Sequence, residues 1–319
     1  MRVLSGIQPS GGLHIGNYFG AVRQFLELQK EHECFFFLAN YHALTTVRKG
    51  PELRKMSHAA AADYLAFGLD PQRAAIFLQS DVPEVTELAW ILSTVTPMGL
   101  LERCHAYKDK VAQGFTPNHG LFAYPVLMAA DIVIYDADLV PVGQDQKQHV
   151  EVARDIAEAF NRNYGDILRL PKPYILGDVA VVPGTDGRKM SKSYDNTIPV
   201  FESPKETRKR VMRIVTDSTP VEAPKDPTKC NLFAIFKLFA DEAEREEIAR
   251  RYREGGLGYG EVKKRLAELI NERFEGARSR REELARNPEE VARVFAVGAE
   301  KARTAARKTL ARVREAAGL

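Results

Sequence analysis

The amino-acid sequence predicts an open parallel α/β sheet followed by an α-helical domain. Strand-like and helix-like segments alternate over the first part of the chain, which is the order expected for a parallel sheet covered by helices. The segment Cys34–Ala39 is a continuous apolar run, as in a parallel strand buried on both faces. Beyond Ser203 the character changes, because long charge-rich helical segments replace the alternation.

The first predicted strand, Val3–Gly6, ends in the glycine-rich turn Gln8–Gly12. A helix follows over about 16–30, where apolar residues recur at helical spacing. Ligands of open parallel sheets bind beyond the carboxyl ends of the strands, and the turn lies at such an end. Further along, the pattern predicts strands at 34–39, 75–78 and 138–142, and helices at about 51–67, 121–135 and 147–161.

The last third of the chain is predicted to be helical and is the more basic part. Residues 197–319 contain 27 Lys/Arg and 21 Asp/Glu, whereas residues 1–196 contain 19 and 22, and the net charge is +3. This asymmetry is compatible with a nucleic-acid partner, although mixed-charge helices are more often simply solvated. Helices are predicted at about 203–216, 231–253, 259–284 and 288–317.

The composition is that of a soluble globular protein, with 45% hydrophobic and 28% charged residues. No stretch approaches the roughly 20 apolar residues that span a bilayer, and the N-terminus leads directly into a strand, so a cytoplasmic protein is expected. Cys34, Cys104 and Cys230 are scattered, without a Cys-x-x-Cys pair. This pattern favours small buried side chains or free thiols over disulfides, and predicts no metal site.

Two segments are suited to phosphate. In Gln8–Asn17, glycines allow close backbone approach and a helix begins, so free N–H groups and the helix dipole would attract an anion. In Gly184–Ser193, Lys189 and Lys192 lie three positions apart on a glycine-flanked loop and can reach one phosphate group. The plainer alternatives are an ordinary strand–helix turn and an exposed basic loop.

Asp131 is the sharpest indication of specificity. It is the single acid in Leu127–Tyr135, a stretch apolar on all sides and therefore predicted to be a buried helix. A buried carboxylate needs a donor, and the N–H of an indole ring, which only donates, would serve. Met128 lies on the same helical face and could pack against such a ring. The alternative is an aspartate paired with a protein Arg, Lys or backbone N–H group.

Several weaker candidates follow other strands. In Gly143–Gln146, Asp145 could accept from a ribose hydroxyl and Gln146 could contact a small substrate, unless the loop only caps the next helix. His42 either lines the site or is structural. Lys110 either reaches phosphate or is a surface charge. Trp90 is predicted to lie in the core or in an interface.

Together, and in this order, Gln8–Asn17 and Lys189–Ser193 resemble the two signatures of class I aminoacyl-tRNA synthetases. Over essentially its full length the chain is similar to the bacterial tryptophanyl-tRNA synthetase family, and the Met128–Asp131 segment distinguishes it from the tyrosyl-tRNA synthetases. The segments that carry the resemblance are Ser5–Gly11, His14–Asn17, Tyr124–Asp131, Gly143–His149 and Lys189–Ser193.

The resemblance implies a role for each of these segments. Asp131 would accept the indole N–H of tryptophan beside Met128, Tyr124 and Gln146 would hold its amino and carboxylate ends, and His42 would line the pocket. Lys110, Lys189 and Lys192, together with Gln8, would carry the catalysis by stabilising the pyrophosphate and positioning ATP. The residues implied for ATP binding are Gln8, Pro9, Ser10, His14, Gly16, Asn17, Gly143, Gln144, Asp145, Val181 (through its backbone), Lys189, Met190, Ser191, Lys192 and Ser193.

The resemblance also implies a Rossmann-like catalytic domain at 1–196 and an α-helical anticodon-binding domain at 197–287, with the last helix, about 288–319, a candidate for packing back on the first domain. It implies a homodimer that activates L-tryptophan with ATP and transfers it to tRNA(Trp), with Mg²⁺ carried by ATP rather than held in a protein site, and with no DNA or membrane partner. Two rival hypotheses are another nucleotidyltransferase and a non-catalytic RNA-binding paralogue.

Overall fold

The computed structural model describes residues 1–9, 11–104, 114, 118–143, 147–174 and 182–319. Its strands are β1 Arg2–Ile7, β2 Glu33–Leu38, β3 Ala74–Leu78, β4 Leu139–Pro141 and β5 Lys172–Tyr174. They form one five-stranded sheet in the order β3-β2-β1-β4-β5. All neighbouring strands are parallel. In the centre, Val3 of β1 is aligned with Cys34 of β2 on one side and with Leu139 of β4 on the other.

The sheet is buried because helices cover both of its faces. Phe36 of β2 packs into one hydrophobic cluster, whereas its neighbours Phe35 and Phe37 point into a second cluster on the opposite face. The apolar run of β2 therefore fills two cores at once, as predicted. The helices of this part are α1 Ile15–Asn17, α2 Arg23–Glu31, α3 Asn40–Ala43, α4 Gly50–Ala66, α5 Glu84–Ser93, α6 Met98–Glu102, α7 His119–Val133 and α8 Lys147–Tyr164.

The first predicted helix is present, but it is not regular. A π-helical turn, Tyr18–Val22, lies between α1 and α2. Tyr18, Phe19 and Val22 are buried in this turn, so the change of pitch accompanies packing against the core. The π turn joins the first phosphate-binding candidate to a well-packed helix.

The remainder of the chain, beyond the sheet, is helical as predicted, with one correction. The predicted single helix at 231–253 is wrong, because the chain leaves the helical path after Phe236 and a new helix begins at Glu242. Asp241 caps the new helix by accepting from the backbone N–H of Glu244 at 2.8 Å. The helices here are α9 Pro204–Met212, α10 Asn231–Phe236, α11 Glu242–Glu254, α12 Tyr259–Arg286 and α13 Pro288–Ala317.

Helix α13 returns to the sheet and packs against β3 and α5. Gly298 allows this approach, because a methyl group there would overlap the carbonyl oxygen of Ile76 in β3. Arg303 and Arg307 each donate from Nε to the buried carboxylate of Glu84, both at 3.0 Å. The last helix is therefore held to the sheet by close packing and by ion pairs.

Trp90, on α5, was predicted to lie in the core or in an interface. Its side chain is 73% exposed in the single chain, which excludes the core. The three cysteines are free thiols, and Cys34 and Cys104 are buried. Among the described residues, no helix is both long and apolar enough to cross a membrane.

Candidate active site

A cavity of about 350 Å³ opens where β1, β2 and β4 end. Leu4, Phe37 and Val140 form part of its apolar wall. Concave sites of this size with a few convergent polar groups are typical of small-molecule binding. The polar or sulfur-containing side chains that also line the cavity include Gln8, His42, Tyr124, Met128 and Asp131.

Asp131 lies on α7 and is only 2% exposed. It accepts from Nε2 of Gln79 at 2.9 Å through Oδ1 and at 2.7 Å through Oδ2. His42 places Nε2 at 2.8 Å from the same Oδ2. Asp131 is thus paired with protein groups, but these are an amide and an imidazole instead of the Arg, Lys or backbone N–H group considered from the sequence.

The electrostatic state of Asp131 reflects two opposing effects. Burial raises the pKa of its carboxyl group, while the hydrogen bonds from His42 and Gln79 act to lower it. A carboxylate offers about four lone-pair sites. The contacts with Gln79 and His42 therefore leave unused acceptor capacity on Asp131, which lines the cavity.

Gln79 was missed by the sequence analysis. It follows β3 directly and is 1% exposed. Its Oε1 accepts from the backbone N–H groups of Tyr41 at 3.0 Å and His42 at 3.4 Å, while its Nε2 donates to Asp131. One side chain thus fixes both the helix that carries His42 and the carboxylate that faces the cavity. The available signal was a polar residue directly after a predicted strand, at the edge of the sheet where ligands bind.

The first signature is folded as a capped turn. Asn17 accepts from the backbone N–H of His14 through Oδ1 at 3.0 Å. The segment pairs with the chain that follows the second signature, because Ile15 donates from its backbone N to Ile198 O at 3.0 Å and Val200 donates to Leu13 O at 3.0 Å. This antiparallel bridge brings the two signatures side by side, although they are far apart in the sequence.

Gly16 is required by close packing at this junction. A side chain built on Gly16 would begin 2.9 Å from Nδ1 of His14 and 3.4 Å from Cβ of Met190. His14 is itself buried, and within the described part of the chain its Nδ1 has no hydrogen-bond partner. Burial, assisted by the positive charge of Lys192, lowers the pKa of His14 to about 4. His14 is therefore neutral at pH 7.

The second signature forms a loop held by Asn196, which the sequence analysis also missed. The side chain of Asn196 donates to Asp186 Oδ1 at 2.7 Å and to Lys189 O at 3.2 Å, and it accepts from the backbone N–H of Ser191 at 2.8 Å. Asn196 is 1% exposed. The backbone around both signature lysines is therefore tied to one buried amide.

Lys192 reaches across to the first signature. A side chain built on Gly11 would begin 3.7 Å from the Nζ atom of Lys192. Burial lowers the pKa of Lys192, and the negative charge of Asp63 opposes that shift. The Lys192 side chain thus ends beside the glycine turn. The free N–H groups expected at the start of α1 are partly used, because Ile15 donates from its backbone N to Ile198 O and Asn17 donates to His14 O.

Comparison with known proteins shows to which family the chain belongs. A family model described as class I tRNA synthetases (W and Y) matches residues 1–275. The chain belongs to this family. The family predicted from the sequence is thus confirmed, and so is the predicted fold class, since solved class I tRNA synthetases share the fold over the full chain.

Individual relatives are similar over the entire length. The tryptophan–tRNA ligase of Rhodopirellula baltica is 56% identical over 319 residues, covering 100% of both chains. The tryptophanyl-tRNA synthetase of Campylobacter jejuni, whose crystal structure is a complex with ADP and tryptophan, matches at 53% identity with a TM-score of 0.93 and 100% coverage of both chains. The tryptophanyl-tRNA synthetase of Mycoplasma pneumoniae matches at 30% identity with a TM-score of 0.84, over 100% of this chain and 97% of the other.

The predicted site residues fall into three groups. Gln8, His42, Tyr124, Met128 and Asp131 line the cavity. The signature residues meet at the bridge between the segments around 14 and 199, with Pro9 buried beside the turn and Gly143 just beyond β4. No cluster of three or more His, Cys, Asp or Glu residues suited to a metal occurs in the described ranges. Ser10, Lys110, Gln144, Asp145, Gln146 and Val181 lie outside the described residues.

Proposed function

We propose that this protein is a tryptophan–tRNA ligase. In the first step, the carboxylate of L-tryptophan attacks the α-phosphate of ATP, which gives tryptophanyl-adenylate and pyrophosphate. In the second step, the 3′-terminal adenosine of tRNA(Trp) attacks the carbonyl carbon and AMP leaves. Such chemistry needs positioning and charge stabilisation but no covalent enzyme intermediate.

The observation that carries the proposal is the Asp131 cluster in the cavity. An ionised carboxylate only accepts hydrogen bonds, so it selects a ligand group that donates, such as the indole N–H. Met128 would pack on the ring, while Tyr124 and Gln146 would hold the amino and carboxylate ends. Phenylalanine has no donor for the acceptor capacity of Asp131 that Gln79 and His42 leave unused, which favours its rejection. Tyrosine must be excluded by the shape of the pocket.

ATP would bind where the two signatures meet. Lys192 and Lys189, with Lys110, would neutralise the charge that develops on the leaving pyrophosphate, and Gln8 would help to position the nucleotide. Mg²⁺ would arrive with ATP and would need no protein site of its own. The other residues proposed to contact ATP are Pro9, Ser10, His14, Gly16, Asn17, Gly143, Gln144, Asp145, Val181, Met190, Ser191 and Ser193.

The partners follow from the same proposal. Residues 1–196 would form the catalytic domain and 197–287 the anticodon-binding domain, with the last helix, about 288–319, packed on the former. The excess of basic residues after position 197 supports tRNA binding. A homodimer would give the exposed Trp90 a place in an interface, where aromatic side chains are enriched. Because tRNA charging serves translation, the proposed location is the cytoplasm.

Amino-acid-dependent ATP–pyrophosphate exchange, measured with each of the twenty amino acids and without tRNA, tests the proposal. Exchange with tryptophan alone is the expected result. Exchange with tyrosine instead would refute the role of Asp131 but keep the enzyme class. Absence of exchange with every amino acid would refute the activation chemistry.

A further inference from the structure

Asp63 is a buried carboxylate that none of the roles above uses. It lies on α4 and is 2% exposed. Its Oδ2 accepts from the backbone N–H of Leu13 at 3.3 Å, and its Oδ1 accepts from Nε of Arg281 at 2.6 Å. Leu13 immediately precedes the first-signature His14, whereas Arg281 lies on α12. A single carboxylate thus links the phosphate-binding turn to a helix more than two hundred positions away.

Asp63 also acts on the second signature through charge. The negative charge of Asp63 favours the protonated form of Lys192. His14, which also lies near Lys192, is neutral, and the charge of the lysine lowers its pKa. Burial disfavours the ammonium form of Lys192, so the carboxylate offsets part of that cost. Burial raises the pKa of the Asp63 carboxyl group, and the hydrogen bond and charge of Arg281 oppose that shift.

Two further arginines of α12 hold the same junction. Arg278 donates from Nε to the carbonyl oxygen of Val200 at 2.7 Å, and Val200 is the residue whose N–H bonds to Leu13 O. Arg273 donates to the hydroxyl of Tyr18 at 2.9 Å, in the π turn that follows the first signature. The Asp63–Arg281 pair is therefore one of several polar contacts that connect α12 to the two bridged segments, around residues 14 and 199, and to the π turn.

We propose that Asp63, held by Arg281, is a positioning residue for the reaction with ATP. Its carboxylate fixes the Leu13–His14 turn through the backbone N–H and places a negative charge at the turn that the Lys192 side chain reaches from the other side. The role rests on the proposed function, since it supposes that the turn and Lys192 bind the phosphates of ATP. The proposed role includes no contact between Asp63 and tryptophan.

The test uses Asp63→Asn, which keeps the size of the side chain and an acceptor for Leu13 but removes the charge. The matched control is Glu84→Gln, because Glu84 is also a buried carboxylate paired with arginines of a C-terminal helix, but in a different part of the fold. We expect Asp63→Asn to lower kcat/KM for ATP in tryptophan-dependent exchange on the order of tenfold, as loss of a supporting partner does at other sites. The KM for tryptophan should stay near the wild-type value.

The pH profile separates positioning from stability. Without the carboxylate, the pKa of Lys192 falls further, so the alkaline limb of kcat/KM for ATP should move to lower pH in Asp63→Asn and remain in place in Glu84→Gln. Arg281→Lys should retain more activity with ATP than Arg281→Met, because lysine keeps the positive charge beside Asp63. These two variants also test the role if Asp63→Asn fails to fold.

The inference is overturned if Asp63→Asn lowers Tm as Glu84→Gln does but leaves kcat/KM for ATP and its alkaline limb unchanged. Equal losses in Arg281→Lys and Arg281→Met, with wild-type pH profiles, would also overturn it. Absence of exchange in the wild-type protein is a different result, because it would refute the proposed function and this role together.

Discussion

Gln79 shapes the chemistry of the cavity at the scale of single residues, although it does not line the cavity. It supplies a donor to both oxygens of Asp131, and a hydrogen bond to a charged group contributes about 1.5–3 kcal/mol. Removing this donor leaves His42 as the remaining side-chain donor described for Asp131 and raises the pKa of Asp131 further. As the pH falls, the hydrogen bond that Asp131 offers to a donor ligand is then lost at a higher pH than in the wild type, because a protonated carboxyl group is a poorer acceptor.

We therefore expect Gln79→Met to lower kcat/KM for tryptophan by about 30-fold, the equivalent of about 2 kcal/mol. The acid limb of the pH profile should move to higher pH, while the KM for ATP should change little. Gln29→Met is the matched control, because Gln29 is also a buried glutamine that bonds the backbone, at Gly68 and Asp70, away from the cavity. Kinetics that match those of Gln29→Met would contradict the role of Gln79.

His14 gives a prediction about pH. Its pKa is lowered to about 4, below the ordinary value of 6.5, so the folded protein resists protonation that the unfolded chain accepts. The contribution of neutral His14 to stability is fully present above pH 6.5 and is lost as the pH falls towards 4. Between pH 7.5 and 5, the free energy of unfolding of the wild type should fall by about 2 kcal/mol more than that of His14→Gln. Parallel denaturation curves for the two proteins at both pH values would show that His14 is not shielded from protonation.

At the scale of elements, Asn196 makes the second-signature loop a defined structure. Asn196→Asp would remove both donors to Asp186 and Lys189 O and place a second negative charge beside Asp186. We expect kcat/KM for ATP in the exchange reaction to fall by about a hundredfold, as for loss of a group that positions catalytic residues, with tryptophan affinity preserved in equilibrium titration.

Asn161→Asp is the control for this loop variant. Asn161 also ties down a loop, by donating to Leu168 O at 2.8 Å and accepting from the backbone N–H of Leu168 at 2.9 Å, outside the signatures. A similar loss of stability with normal ATP kinetics is expected for it. If both variants show the same kinetics, the hydrogen bonds of Asn196 do not position the lysines.

Most elements could be predicted from the sequence because their apolar periodicity is strong. The strand β5, Lys172–Tyr174, could not, since it is three residues long and contains a proline and a lysine. The break between α10 and α11 was also missed, because the intervening residues are mostly apolar and continue the pattern of a helix. Short or capped elements depend on contacts that periodicity does not contain.

The site was predicted unevenly for the same reason. Asp131 stood out because a charge in an apolar helix is conspicuous, and the signatures stood out because glycines and lysines cluster there. Gln79 and Asn196 have no such local mark. Asp63 shares the mark of Asp131, because it is the single acid in the apolar stretch Ala59–Phe67. Each of the three acts through a partner that lies between five and 218 positions away and is brought near only by the fold. Sequence patterns predict which residues contact phosphate or indole better than which residues hold them in place.

At the scale of the whole molecule, the last helix and the sheet behave as one packed unit. Arg303 and Arg307 meet Glu84, Arg312 meets Asp136 at 2.7 Å, and Arg314 pairs with Glu87. Since α13 also covers β3, which is an edge strand of the sheet, it shields backbone groups that would otherwise be open to pairing with another chain. The stability of the sheet should therefore depend on how closely α13 approaches it.

Gly298→Ala tests this dependence. In an exposed helix, replacing glycine by alanine stabilises by about 1 kcal/mol, but at Gly298 the added methyl group would overlap Ile76 O and force α13 away from β3. We expect the free energy of unfolding to fall by about 1–3 kcal/mol, the usual cost of overpacking. Gly276→Ala, in the middle of α12, is the control, because a methyl group there meets no described atom within 4 Å and should stabilise the protein. Chemical denaturation of both variants measures the difference. If Gly298→Ala is as stable as Gly276→Ala, then close contact between α13 and β3 does not hold the helix against the sheet.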